Sequence, residues 1–296
     1  MLNFLFYFAA ILIWGSTWLA IKFQLTDVPP IMSVGYRFVL AAALLFLYGL
    51  IRRRSFRFSV VDHLFMAGQG LFLFAIGYCL TYFSSRYLTS GLVSVIFSLM
   101  LLVNILNLRL FMGQAVAWRA FCGGLMGLFG LCLVFWPDLR TFEANDSLTG
   151  LLLGLAGTYF CSLGNIIGAR HARHHLPVTQ TNAFGMAYGG VLALLFGWWL
   201  HGGAAFDLSP GYLGSLAYLA VFGSVVAFGA YITLIGRIGA EYAAYIILVT
   251  PVIALSLSTF FEGYTWNPYS LTGVAVVLLG NLIILKPIRL GRPDPA

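Results

Sequence analysis

Apolar residues in this chain run in long blocks, and each block ends where charge, proline or a Gly-Asn-Asp cluster appears. A helix that crosses a bilayer needs roughly 20 mostly apolar residues. By that measure the blocks predict spans over 4–25, 31–51, 62–84, 88–108, 119–136, 148–169, 178–200, 211–234, 243–261 and 270–286. The expected architecture is an all-α integral membrane protein with ten transmembrane helices and short connections. The first block has no basic segment before it and exceeds the roughly 7–15 apolar residues of a signal sequence, so it is expected to be a retained span.

One block is unusually polar inside. WGSTWLAIK, from Trp14 to Lys22, interrupts a run that otherwise reads LNFLFYFAAILI. Trp14 lies about 15 Å into its span at about 1.5 Å per residue, too deep for an interfacial aromatic belt. Trp14 and Trp18 are four residues apart and share a helix face, with Thr17 beside them and Lys22 extending that face outward. Gly15 and Ser16 allow close helix approach. The face reads either as the wall of a cavity or as a packing surface, and Lys22 as a gate, a substrate contact or a side chain reaching for the interface.

Composition agrees with the block pattern: 61% of residues are hydrophobic and 8% charged, against about 25% charged in soluble domains. The net charge of +7 is spread in short clusters such as RRRSFR, not along one face, which argues against a nucleic-acid partner. The four cysteines (Cys79, Cys122, Cys132, Cys161) lie in apolar runs without metal-ligand spacing. With the N-terminus inside, twelve Lys and Arg fall on the cytoplasmic side and only Arg86 and Arg140 outside. That bias places both termini in the cytoplasm of a bacterial-type inner membrane.

Ten spans divide into two sets of five, and the halves echo each other. Gly123, Gly130 and Pro137 match Gly273, Gly280 and Pro287 at a separation of 150. Pro30 matches Pro177 at 147, while Gly91 with Gly239 and Gln114 with Glu262 are each 148 apart. Five is odd, so the second half enters the membrane from the opposite side. The expected domains are 1–140 and an inverted repeat at 146–287, with 288–296 as a cytoplasmic tail. Such inverted repeats occur in many secondary transporters, with substrate held between them.

WGSTWLAIK, Pro30 and YRFVLAAALL, followed in the second half by GSVVAFGAYITL, IGAEYAAYIILVTPVIAL and FFEGY, resemble two tandem EamA-type domains of the drug/metabolite transporter superfamily. The resemblance covers nearly the whole chain. It implies transport of small metabolites, often amino acids or related compounds, and commonly export. Two departures stand out: no proline occupies the first-half counterpart of Pro251, near Val103, and Gln114 stands where the family usually has Glu.

Hydrolase, kinase and zinc-protease motifs are absent, so no enzymatic activity, cofactor or metal is expected. The candidate lining of a central pathway is Trp14, Thr17, Trp18, Lys22, Arg37, Tyr78, Tyr82, Asn104, Asn165, Tyr231 and Tyr245. Arg37, six residues into its span, needs water, a partner, a substrate carboxylate or backbone carbonyls to be tolerated there. Asn107, nearer a span end, reads more as a helix contact. Pro251 removes a backbone bond in the ninth span and marks a kink. This lining suits a molecule with an apolar body and a polar or anionic head. No Asp or Glu falls mid-span, which favours facilitated or weakly coupled transport over an obligatory carboxylate proton relay. The expected partners are a small-molecule substrate and the lipid bilayer. The rival readings are a non-transporting scaffold or receptor subunit, a lipid-acting membrane enzyme and a channel.

Overall fold

Inside a bilayer every backbone N–H and C=O must find a partner within the protein, so apolar blocks of this length fold as helices. The computed structural model describes residues 2–136, 146–238 and 245–285. Helices dominate those residues. α1 is Leu2–Lys22, α2 is Pro30–Ile51, α3 is Val60–Tyr87 and α4 is Ser90–Met112. α5 is Trp118–Val134, α6 is Asp146–Arg173 and α7 is Val178–His201. α8 comprises Pro210–Tyr218, a π-helical stretch Leu219–Val226 and Ala227–Ile238; α9 is Tyr245–Phe261 and α10 is Pro268–Leu285. Eight of these rods are long and apolar enough to cross a membrane; Trp118–Val134 and Ile246–Phe261 are shorter apolar helices. At 17 residues, α5 reaches only about 26 Å at about 1.5 Å per residue.

The ends follow local chemistry. Pro30 opens α2 from a proline-preceded turn, where its missing N–H costs nothing. Ser59 caps α3: its hydroxyl accepts from the Asp62 N–H at 3.1 Å and donates to the Asp62 carboxylate at 2.7 Å. Gly113 and Gly202 close α4 and α7 in the left-handed conformation, with φ of 67° and 70°.

Two interior features have no counterpart in the hydropathy pattern. α3 contains a π-helical stretch, Gly70–Gly77, and α8 contains another, Leu219–Val226, each eight residues long. They begin 149 positions apart (219 minus 70). α4 also breaks between Ser98 and Met100, and α9 carries Pro251 inside the helix.

Large apolar side chains such as Phe4, Leu50, Trp199 and Phe260 cover the outward faces, while the interior is packed through small residues. Gly150, Gly154, Gly157 and Gly164 line one face of α6 against α3 and α4; a Cβ on Gly157 would meet Thr81 and the Gly77 carbonyl. α5 and α10 lie backbone to backbone. A Cβ on Gly130 would come 2.6 Å from the Gly273 carbonyl, and one on Gly280 would crowd the Gly123 carbonyl. The contacts Gly123–Gly280 and Gly130–Gly273 run antiparallel, and a shift of 150 residues turns one into the other.

Among the described residues two ion pairs occur, at opposite ends of α3. Arg170 at the end of α6 reaches Asp62 at 2.7 Å. Lys22, ending α1, lies 3.6 Å from Glu262, just beyond α9. Lys22 also donates to the backbone carbonyls of Ser85 and Leu88 at 2.6 and 2.8 Å. The Glu262 carboxylate accepts the Ser90 N–H at 3.0 and 3.1 Å and also its hydroxyl, so it caps the start of α4 from across the bundle.

Candidate functional site

The interior of the bundle holds a cavity of about 190 Å³. Its wall is assembled from both sequence halves. α1 gives Trp14, Thr17, Trp18 and Ile21, a stripe at helical spacing. α2 gives Arg37, α3 gives Leu73 and Tyr78, and the broken part of α4 gives Ser94, Phe97, Ser98 and Met100. The second half adds Asn165 from α6, Gly223, Phe228 and Tyr231 from α8, and Ile247, Thr250 and Pro251 from α9.

Trp14 is fixed by its indole N–H, which donates to the Gly223 carbonyl at 3.3 Å, and by the rings of Phe228 and Tyr231 at 5.3 and 5.2 Å. The carbonyl it uses belongs to the π-helical stretch of α8, where helical bonding is rearranged. Trp18 packs edge-on against Phe97 at 5.0 Å, and its buried indole N–H has no partner. The small residues between them do the packing. Gly15 meets Ile253 of α9, and Ser16 shares a 2.7 Å hydrogen bond with Tyr218 of α8. Thr17 packs against Gly223 and donates to the Trp14 carbonyl at 2.8 Å.

Arg37 is the charged group of this wall and is only 2% exposed. Its Nε donates to the Ser224 hydroxyl at 3.3 Å and one terminal nitrogen donates to the Tyr82 hydroxyl at 3.4 Å. The guanidinium lies over the rings of Tyr78 and Phe38 at 4.9 and 5.1 Å. Among the described residues no carboxylate pairs with it and no backbone carbonyl accepts from it. The Tyr78 hydroxyl is a third hydrogen-bonding neighbour of the guanidinium, so neutral hydroxyls meet part of its five N–H donors and none of its charge. A buried cation in that state favours an anionic or strongly polar neighbour.

The remaining expected residues fall in different places. Tyr82 is fully buried behind Arg37, off the cavity surface. Asn104 stands behind Asn165, accepting its amide at 3.4 Å. Lys22 lies away from the cavity, in the cluster with Glu262. Asn107 bonds Ser162 of α6 at 2.9 Å, a helix–helix contact. The side chain of Tyr245 lies outside the described residues. Pro251 lacks the N–H that would serve the Ile247 carbonyl, and both residues border the cavity.

Sequence reasoning named Pro251 on α9 but missed Ile247 and Thr250 beside it, and missed Ser94, Phe97, Ser98 and Met100 on α4. Ser94 and Ser98 are four apart, a polar stripe that could have been read on an otherwise apolar segment. Nothing in the residue pattern marked the π-helical stretches that present Gly223 and Ser224.

Protein PagO of Salmonella typhimurium is 24% identical over 277 residues, covering 93% of this chain and 90% of that one. The uncharacterized inner membrane transporter YedA of Escherichia coli K12 is 28% identical over 281 residues, covering 94% and 88%. One solved crystal structure shares the fold with a TM-score of 0.67 at 20% identity, over 95% of this chain and 96% of the other. The EamA-like transporter family matches residues 1–136 and again 148–286. A cavity inside a bundle of helices apolar and long enough to cross a membrane, in a chain matched twice over nearly its whole length, means that this protein belongs to the EamA-like transporter family and is a membrane transporter.

Proposed function

We propose that this protein is a secondary transporter that moves small carboxylate-bearing metabolites, amino acids or related compounds, outward across a bacterial inner membrane by alternating access. The observation that carries this reading is Arg37, buried at the cavity wall without an acidic partner among the described residues. The aromatic wall of Trp14, Trp18, Phe97 and Tyr231 supplies the complementary apolar surface. The outward direction rests on the family resemblance. The inner-membrane location draws support from the naming of YedA and from the Lys and Arg bias, which also puts both termini in the cytoplasm.

Alternating access requires two halves that move against each other. Three observations support halves at 1–140 and 146–287, ahead of a 288–296 tail, related by inversion. The π-helical stretches of α3 and α8 repeat at an offset of 149. The α5–α10 glycine contacts exchange under an offset of 150, and the two helices run antiparallel. Lys22 and Arg170 are 148 apart (170 minus 22), and each pairs with an acid of the other half at opposite ends of the bundle, though the acids themselves, 200 apart (262 minus 62), do not repeat at that offset. Two such latches, opened in turn, are what alternating access needs.

Coupling follows from the same inventory. Among the described residues no Asp or Glu lines the cavity, and Asp62 and Glu262 are each held by a cation at the bundle ends. Flux is therefore facilitated or weakly coupled and sensitive to membrane potential. Radiolabelled aromatic and aliphatic amino acids and related acids, in proteoliposomes with and without a pH gradient, test this. Saturable flux that survives collapse of the pH gradient is expected. Folded protein without flux would point to a scaffold or receptor subunit, and strict proton dependence would overturn the coupling.

A further inference from the structure

The charge balance of the cavity says more about its occupant than its shape does. The described lining carries one formal charge, the Arg37 guanidinium. Ser94, Ser98, Thr250 and Asn165 are neutral, and the two acids with resolved partners are engaged elsewhere by Lys22 and Arg170. The described lining is therefore cationic, and a monoanion would neutralise it.

The guanidinium is also aimed at that space. Ser224 and Tyr82 hold the Nε and Nη1 edges, while Nη2 lies beside Gly223, where an added Cβ would stand 3.5 Å from it. Gly223 itself borders the cavity, so no side chain at that position stands between Nη2 and the cavity, and the Tyr78 hydroxyl lies beside the guanidinium. A carboxylate set on it would lie close to Trp14, whose indole bonds the same Gly223 carbonyl. A planar apolar body attached to that carboxylate would extend among the aromatic rings.

An α-ammonium finds no acidic partner among the described lining residues. It would enter a cavity that already holds a cation, within a few ångströms of the guanidinium. Its neighbours would be hydroxyls, the Asn165 amide oxygen, the Ile247 carbonyl that Pro251 cannot serve and the aromatic faces, with no acid among the described lining residues to balance it. At an effective dielectric constant of about 20, like charges about 5 Å apart repel strongly enough to disfavour the ammonium by roughly a hundredfold, and neutral acceptors recover only part of that. We propose, resting on the transport reading above, that the cavity selects monocarboxylates with a flat or branched apolar body and no ammonium group. These are 2-oxo acids and aryl acids, preferred over the amino acids of the same skeleton, with the carboxylate bound by Arg37.

The test uses the purified full chain in proteoliposomes with the membrane potential clamped. Counterflow of phenylpyruvate is compared with phenylalanine, and of 4-methyl-2-oxopentanoate with leucine. The oxo acid of each pair is expected to exchange at least tenfold faster. Arg37→Gln should abolish oxo-acid flux, and Ser98→Asp, which places an acid in the wall, should shrink or reverse the gap by favouring the amino acids. Gel filtration and thermal unfolding establish that each variant is folded, and Ser98→Asp keeps the test decisive should Arg37→Gln fail to fold. Amino acids moving as fast as, or faster than, their oxo acids would overturn the selectivity while leaving the transport reading intact. No flux of any of the four by folded protein would overturn both.

Discussion

Glu262→Gln removes the charge that faces Lys22 while keeping an acceptor for the Ser90 N–H and hydroxyl. The cluster joins the end of α1, the end of α3, the start of α4 and the residue following α9, so it can hold one end of the bundle shut. A hydrogen bond to a charged group contributes about 1.5–3 kcal/mol. The two side chains are 26% and 11% exposed, so water screens part of the interaction. The lower part of the range then applies, about 1.5–2 kcal/mol, or roughly a tenfold to thirtyfold change in the population open at that end. Asn165→Cys, in a background with Cys79, Cys122, Cys132 and Cys161 replaced, places a thiol on the cavity wall. A membrane-impermeant thiol reagent, applied to vesicles of either orientation, reads access from each side. Glu262→Gln should raise the labelling rate from the Lys22 side by about tenfold or more and leave the opposite side unchanged or slower. Asp62→Asn should do the mirror image. Equal acceleration from both sides, or none, would show that these pairs only staple the fold.

The other expectations concern packing and hinge. Gly130→Leu forces a side chain into the α5–α10 contact, where even a Cβ would stand 2.6 Å from the Gly273 carbonyl and 2.7 Å from the Val277 nitrogen. A loss of about 1–3 kcal/mol is expected, read as a lower midpoint of thermal unfolding in detergent. Gly229→Ala is the control: nothing lies within 4 Å of its added Cβ, and a helical Gly→Ala change there should be neutral or stabilising by up to about 1 kcal/mol. Pro251→Ala restores a backbone donor for Ile247, so α9 should become straighter and more stable while exchange slows severalfold. Unaltered exchange with unaltered stability would remove Pro251 from the moving parts.

Much of the fold was legible in the sequence because the bilayer demands it. Span ends are set by charge, proline and glycine, so α2, α4 and α7 begin or end within a few residues of the hydropathy blocks. The depth of Trp14 and its face shared with Trp18 also followed from helical spacing alone. What stayed hidden depends on relations between distant residues. Lys22 was ambiguous because Glu262 is 240 positions away (262 minus 22), and the Arg170 pairing had no local signal because Asp62 is 108 away. The π-helical stretches that present Gly223 and Ser224 are a backbone choice with no hydropathy signature. Ser94 and Ser98 were overlooked although their spacing of four puts two hydroxyls on one face of an otherwise apolar segment, the face that lines the cavity.

Alternating access is tested most directly by two distances measured in the same preparation. One spin-label pair at Phe23 and Phe261 spans the Lys22 end, and another at Val61 and Arg173 spans the Asp62 end; all four sites are exposed. Pulsed dipolar spectroscopy in nanodiscs, with and without a transported carboxylate, reads both distributions. The two distances should change reciprocally, one lengthening as the other shortens, with Glu262→Gln and Asp62→Asn driving the populations in opposite directions. Distributions that stay fixed, or that widen together, would contradict a transporter that works by rocking two inverted halves around Arg37.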